Sequence, residues 1–231
     1  MSFGSNVVLK DFSYHFKPQT VYALMGANGS GNTTLFNLLG GFLKAQSGEM
    51  LFKGKKITRL IPHQVANMGL ARTFQDMRLI PTLSVYDNVL LAYKNKTSEG
   101  LVASFLPPKV YQYDEPIKQI LEQTHLLSVK DSKASDISYG QQKLLNLAVA
   151  LANDFDLLLL DEPVAGVQPE FREQILQLIQ SFNKTVIVIE HNPEFLERLT
   201  EHILFLDEGK IITEGDYPSI KNNAQVQKAY L

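Results

Sequence analysis

The chain has 231 residues, a mass of 26.0 kDa and 45% hydrophobic residues, enough for one sizeable domain and too apolar for wholesale disorder. Its 22 Lys+Arg against 24 Asp+Glu leave a net charge of -2, which gives no global electrostatic case for nucleic acid, and the lack of cysteine excludes disulfides and thiolate metal centres. The start Met1-Ser2-Phe3-Gly4-Ser5-Asn6 lacks the basic and apolar parts of a signal peptide. No apolar run approaches the roughly 20 residues of a membrane span, so any membrane role is expected to come through a partner.

Alternation over 7–14 predicts a strand. The apolar run 21–25 predicts a second one, running into a glycine-rich turn and a helix over 35–39 that stops at Gly40-Gly41. Two strands are expected around a Lys53-Gly54-Lys55 turn within 48–57. From about residue 60 to 135 the character changes. A helix over 84–93 starts at an N-cap Ser84, a break falls at Pro107-Pro108, and a second helix spans 115–127 with Pro116 in its first turn. This reads as a helical insertion into an α/β core. The core resumes near 138 with a helix over 141–153 and the run Leu157-Leu158-Leu159-Leu160, a strand buried on both faces. A helix over 171–182, a buried strand over 186–189, a short helix over 193–200, a hairpin over 203–213 and a helical tail from 217 complete the reading.

Chemistry concentrates in a few places. Gly26-Ala27-Asn28-Gly29-Ser30-Gly31-Asn32-Thr33-Thr34 joins a strand to a helix. Its glycines let backbone N–H groups converge, and the helix N-terminus adds a positive dipole end, so the segment suits a phosphate. The spacing fits the P-loop pattern, with Thr33 placed for Mg²⁺, but Asn32 stands where that pattern has lysine. Asp161, at the end of the leucine run, suits a metal, and Glu162 suits a water attacking a γ-phosphate. His191 ends the next buried strand, where an imidazole can bond that phosphate and water. Ser138, Gly140 and Gln141 open a helix whose N-terminus is an anion site, and Gln75 lies where the core gives way to the insertion, placed to touch a metal or water. Taken singly, these are a glycine-rich turn, a solvated acid pair, a structural histidine, an ordinary serine cap and a polar loop residue. Their joint presence argues for chemistry.

Together the segments resemble the ATP-binding subunit of ABC transporters over almost the whole chain. Gly26 to Thr34 is similar to Walker A, Gln75 to the Q-loop glutamine, Ile137-Ser138-Tyr139-Gly140-Gln141 to the signature, Leu157 to Glu162 to Walker B, Ala165-Gly166-Val167-Gln168 to the D-loop and His191 to the switch histidine. The phrases Gly69-Leu70-Ala71-Arg72-Thr73-Phe74-Gln75, Ser138-Tyr139-Gly140-Gln141-Gln142, Glu190-His191-Asn192 and Gln227-Lys228-Ala229-Tyr230-Leu231 resemble the branched-chain amino-acid importer branch.

The resemblance implies a P-loop NTPase cassette. Its RecA-like parallel-sheet core occupies about 1–75 and 136–231, its helical subdomain about 76–135, and its N-terminal antiparallel part is expected to be truncated. It implies ATP and Mg²⁺ as cofactors, with Thr33, Gln75 and Asp161 as metal residues and Glu162 and His191 as catalytic ones. The cradle Gly26 to Thr34, Phe3 stacked on adenine, and Ser138, Gly140 and Gln141 of the facing cassette would hold the nucleotide. Implied partners are a second cassette, identical or related, integral membrane subunits at the cytoplasmic face of the plasma membrane and, indirectly, a solute-binding protein; nucleic acid is not among them. Asn32 is expected to weaken turnover. The alternative is a hydrolysis-deficient nucleotide-binding partner or regulator. A DNA-repair or translation ATPase of the same superfamily is disfavoured by the length and the charge balance.

Overall fold

The computed structural model describes residues 1–3, 6–94 and 114–229, and of residues 2, 3, 6, 7 and 94 the backbone alone. The expected Pro107-Pro108 break lies outside these residues. By its contacts the chain divides into two compact units. The first comprises Met1–Arg72, Phe155–Ala165 and Ile179–Leu231; the second comprises Thr73–Asp154 and Gly166–Leu178.

The first unit opens with two paired strands, β1 (Ser2–Phe3) and β2 (Asn6–Val7). The strand expected over 7–14 does not form: residues 8–20 are irregular, and the chain instead lays Leu9, Phe12, Tyr14 and Phe16 against the core as single anchors. Then come β3 (Val21–Gly26), α1 (Asn32–Leu39), the short pair β4 (Leu51–Phe52) and β5 (Lys55–Lys56), α2 (Pro62–Asn67) and β6 (Leu70–Arg72). Helix α1 begins three residues before the expected start, because the glycine turn itself delivers the helical N-terminus. Sequence patterning missed α2 and β6, whose six and three residues are too few to show a period.

The second unit holds α3 (Val85–Lys94), α4 (Asp114–Gln123) and α5 (Tyr139–Leu151), with a 3-10 turn at Leu127–Val129. Ser84 caps α3 as expected, its Oγ accepting the Asp87 N–H at 2.9 Å. Buried Asn88 ties the preceding loop to the helix: its Oδ1 accepts the Ile80 N–H at 2.8 Å and its Nδ2 donates to the Ile80 and Ser84 carbonyls at 3.1 and 2.9 Å.

The chain returns to the first unit with β7 (Leu157–Asp161) and passes through α6 (Pro169–Ser181), which begins in the second unit. It ends with β8 (Thr185–Ile189), α7 (Pro193–Leu199), the hairpin β9 (Ile203–Asp207) and β10 (Lys210–Gly215), then α8 (Tyr217–Asn222) and α9 (Ala224–Ala229). One six-stranded sheet organises this unit, in the order β10-β9-β3-β8-β7-β6. It is parallel except for β10. Alternate residues of β3 divide its core: Tyr22 and Leu24 face the cluster that includes Leu35 and Phe36 of α1, while Ala23 and Met25 face Leu196, Ile220 and Val226 of α7, α8 and α9. Helices on both faces explain why β7 and β8 are apolar at nearly every position.

Candidate functional site

In a doubly covered parallel sheet, free backbone groups and irregular loops collect at the carboxyl ends of the strands. Here β3, β8 and β7 are neighbours, and their ends carry Gly26, Glu190-His191 and Asp161-Glu162. Leu24 and Asp161 both lie in register with Ile189 of β8.

The turn from β3 to α1 is tightly held. The Ser30 N–H donates to the Ala27 carbonyl at 3.0 Å, and the Ser30 carbonyl accepts the Gly209 N–H at 3.1 Å. A Cβ at Gly26 would stand 2.3 Å from the Leu206 carbonyl oxygen and 2.5 Å from Ser30 Oγ. Gly31, at φ 111°, occupies left-handed space where a side chain is strained, and it caps α1 without any side-chain bond. Gly29 and Thr33 are exposed at the mouth of the turn, and Thr34 is half-buried. Asn32, the first residue of α1, is 8% exposed, and its Oδ1 is buried with no hydrogen-bond partner. A half-turn of the amide exchanges Oδ1 and Nδ2, so the same corner can offer a donor to an anion.

Asp161 is buried beside Arg72. The guanidinium donates from Nη2 to Asp161 Oδ2 at 3.3 Å and from Nη1 to Asn37 Oδ1 of α1 at 2.7 Å. It also lies over the rings of Phe36 and Phe42, at 5.5 and 5.6 Å from their centroids. Glu162 has left the strand with φ 48°, its N–H donating to the Ile189 carbonyl at 2.9 Å. Its Oε1 stands 3.9 Å from His191 Nε2, too far for a hydrogen bond and close enough for both to touch one intervening group. The two side chains are 28% and 44% exposed, so the space between them opens to solvent.

Behind this pair lies Glu190, 4% exposed. Its Oε1 accepts the N–H groups of His191 and Asn192 at 3.0 and 3.2 Å, and its Oε2 accepts that of Val164 at 3.4 Å. Burial pushes the Glu190 carboxyl above the ordinary glutamate range, and the nearby Glu162 charge adds to that, while the three N–H donors pull the other way.

Gln75, Ser138, Gly140 and Gln141 belong to the second unit. Gln75 is exposed in an irregular segment. Ser138 caps α5 in a capping box: its Oγ accepts the Gln141 N–H at 3.3 Å, and Gln141 Oε1 accepts the Ser138 N–H at 2.9 Å. Gly140 has no room for a Cβ, which would meet the Phe171 ring at 2.4 Å. Phe3 lies in β1, and its side chain is outside the described residues. Sequence reasoning passed over Arg72 and Glu190. For Glu190 the signal available was an ionisable residue directly after an apolar strand, which a buried site tolerates only when its polar atoms are met; Arg72 ends a strand too short to show a period.

The donor set fits Mg-ATP. Exposed Thr33 and the carboxylate of Asp161 are hard oxygen donors suited to Mg²⁺, and the Asn32 corner holds an unmet polar atom. Among the described residues no three or more His, Cys, Asp or Glu cluster as a metal site. Nor, among these residues, is any helix long and apolar enough to cross a membrane.

Comparison with known proteins agrees with this geometry. Residues 9–165 match the family model described as ABC transporter. The high-affinity branched-chain amino acid transport ATP-binding protein LivG of Escherichia coli K12 is 32% identical over all of this chain and 94% of its own length. The probable LivG of Archaeoglobus fulgidus is 34% identical, over 92% of this chain and 84% of its own. The ADP conformation of MJ1267, an ATP-binding cassette of an ABC transporter, superposes with a TM-score of 0.87 at 29% identity, covering 100% of this chain and 94% of that one. A dimeric post-hydrolysis state of the cassette MJ0796 bound to ADP and Pi gives 0.78 at 26% identity, over 91% and 90% of the two chains. With its parallel-sheet core, small antiparallel sheets and helices, this chain has the ABC cassette fold and belongs to the ABC transporter ATP-binding family, close to the LivG type.

Proposed function

We propose that the chain is the ATP-hydrolysing subunit of an importer of branched-chain amino acids or related small solutes. The observation that supports this reading best is the gathering of the glycine cradle, Asp161-Glu162 and His191 at the ends of three adjacent strands. The LivG relatives, which carry branched-chain amino acid transport in their names, suggest the solute. In this reading the backbone N–H groups of Gly26 to Thr34 hold the β- and γ-phosphates, and Phe3 supports the adenine. Thr33, Asp161 and Gln75 would hold Mg²⁺, which when bound would neutralise charge on the phosphate oxygens. Glu162 accepts the proton of the attacking water, and His191 bonds the water and γ-phosphate from the opposite side. A second cassette, identical or related, closes the site head to tail with its own Ser138, Gly140 and Gln141 or their counterparts. The helical part, about 76–135, passes the closure to a membrane subunit at the cytoplasmic face.

Asn32 sets the rate. A neutral amide cannot follow the charge that develops during phosphoryl transfer as a lysine can, so turnover is weak but measurable. The same residue favours a second reading, a nucleotide-binding regulator without turnover. ATP titration with phosphate release, on the chain and on Glu162→Gln, separates the two. Release above the Glu162→Gln background supports the enzyme; binding with release equal to that background supports the regulator. Failure of Mg-ATP to bind at all refutes both. Co-purification with a membrane subunit then tests the transport role.

A further inference from the structure

We propose that Glu190 is a positioning residue, a clamp that fixes the backbone carrying His191 to the segment that follows Glu162. This rests on the ATP-hydrolysis reading above. Two loops leave the adjacent strands β7 and β8 carrying the two side chains that flank the attacking water in that reading. Their main chains are tied twice. The first tie is the Glu162 N–H on the Ile189 carbonyl at 2.9 Å. The second is the Glu190 carboxyl, whose two oxygens divide their work: Oε1 holds the His191 and Asn192 N–H groups, and Oε2 reaches across to Val164.

Only a carboxyl group offers acceptors in both directions at this place. Burying one is costly, and three main-chain donors meet it. What it secures is the 3.9 Å between His191 Nε2 and Glu162 Oε1, which no direct hydrogen bond maintains. A misplacement of about 1 Å between reacting groups can cost about a hundredfold in rate. The cradle stands on β3 and α1 and receives none of these bonds, so loosening the clamp affects turnover before it affects nucleotide binding.

Glu190→Gln tests this with little change of volume. Its single oxygen can keep the His191 and Asn192 donors, but its NH₂ then faces the Val164 N–H, donor against donor. In the nucleotide-free protein, amide hydrogen exchange of Val164 should rise about tenfold or more, while His191, Asn192 and the β8 amides keep their protection. Phosphate release should show kcat lowered about tenfold or more with KM held within about threefold, measured on the chain and again with Asn32→Lys. Glu190→Ala, which removes both arms, should speed exchange at all three amides; if it does not fold, the glutamine variant decides alone. Unchanged Val164 exchange overturns the clamp. A raised KM with unchanged kcat overturns its role in positioning. Absence of hydrolysis in the parent and in Asn32→Lys refutes the ATPase reading and with it the positioning role, while exchange still decides whether the clamp exists.

Discussion

Asn32→Lys is the substitution whose consequence can be carried furthest. The residue opens α1, and its Oδ1 is already buried without a partner, so the native amide satisfies nothing in this protein that a lysine would forfeit. The lysine stem is longer and brings a full charge toward the cradle. A hydrogen bond to a charged group contributes roughly 1.5–3 kcal/mol. At about 1.4 kcal/mol for each tenfold, ATP should bind roughly ten- to a hundredfold more tightly. Turnover should rise at least about tenfold, because the lysine also meets charge that develops in the transition state. Without nucleotide the gain reverses in sign: a cation at the positive end of α1 should cost about 0.3–1 kcal/mol. Titration calorimetry with ATP, phosphate release and urea unfolding with and without nucleotide read all three. A lysine variant with affinity and rate both within about threefold of the parent would refute the reasoning.

Arg72→Met should destabilise the first unit by about 3 kcal/mol in urea, because it leaves the buried Asp161 carboxylate without its guanidinium. Adding Asp161→Asn should recover much of that loss; an additive double variant would show that the pair is not coupled. Gly26→Ala should cost about 1–3 kcal/mol, since its Cβ meets a backbone oxygen that cannot swing away, and a wild-type unfolding midpoint would contradict the packing described. Asn88→Leu should lower stability by about 2 kcal/mol or more in unfolding read from the second unit, because the Ile80 N–H and three carbonyls lose their side-chain partner. Burial raises the Glu190 carboxyl, so only between the ordinary glutamate value and the raised one does the folded protein bind a proton that the unfolded chain has released. The stability this contributes is therefore complete below the ordinary glutamate value and is lost as pH rises through the raised one. Urea midpoints from about pH 4 to about pH 7 should fall more steeply for the parent than for Glu190→Gln, and parallel profiles would exclude the effect.

The long periodic segments were legible because their burial is uniform. The four leucines of β7 and the β-branched run of β8 are apolar throughout since helices cover both faces of the sheet, and α3 and α5 carry both period and cap. What escaped was set by tertiary contact. Residues 7–14 alternate like a strand, yet the first unit uses Leu9, Phe12 and Tyr14 as separate anchors, and among the described residues no strand pairs with 8–14. Helix α2 and strand β6 are fixed by packing rather than by period. The candidate site divides in the same way. Gly26 to Thr34, Asp161, Glu162 and His191 announce themselves by residue type after a buried strand. Arg72 and Glu190 gain meaning only once the fold shows which carboxylate or N–H groups each one faces.

The backbone at Glu162 carries a further consequence. A glutamate at φ 48° pays about 1–3 kcal/mol for its left-handed conformation, a cost that glycine would escape and asparagine would reduce. Selection for heat resistance alone would therefore draw this position away from the carboxylate, gaining melting temperature as it removed the group proposed to activate water. Libraries built to toughen this cassette should be sorted by phosphate release, with survival on heating as the second criterion.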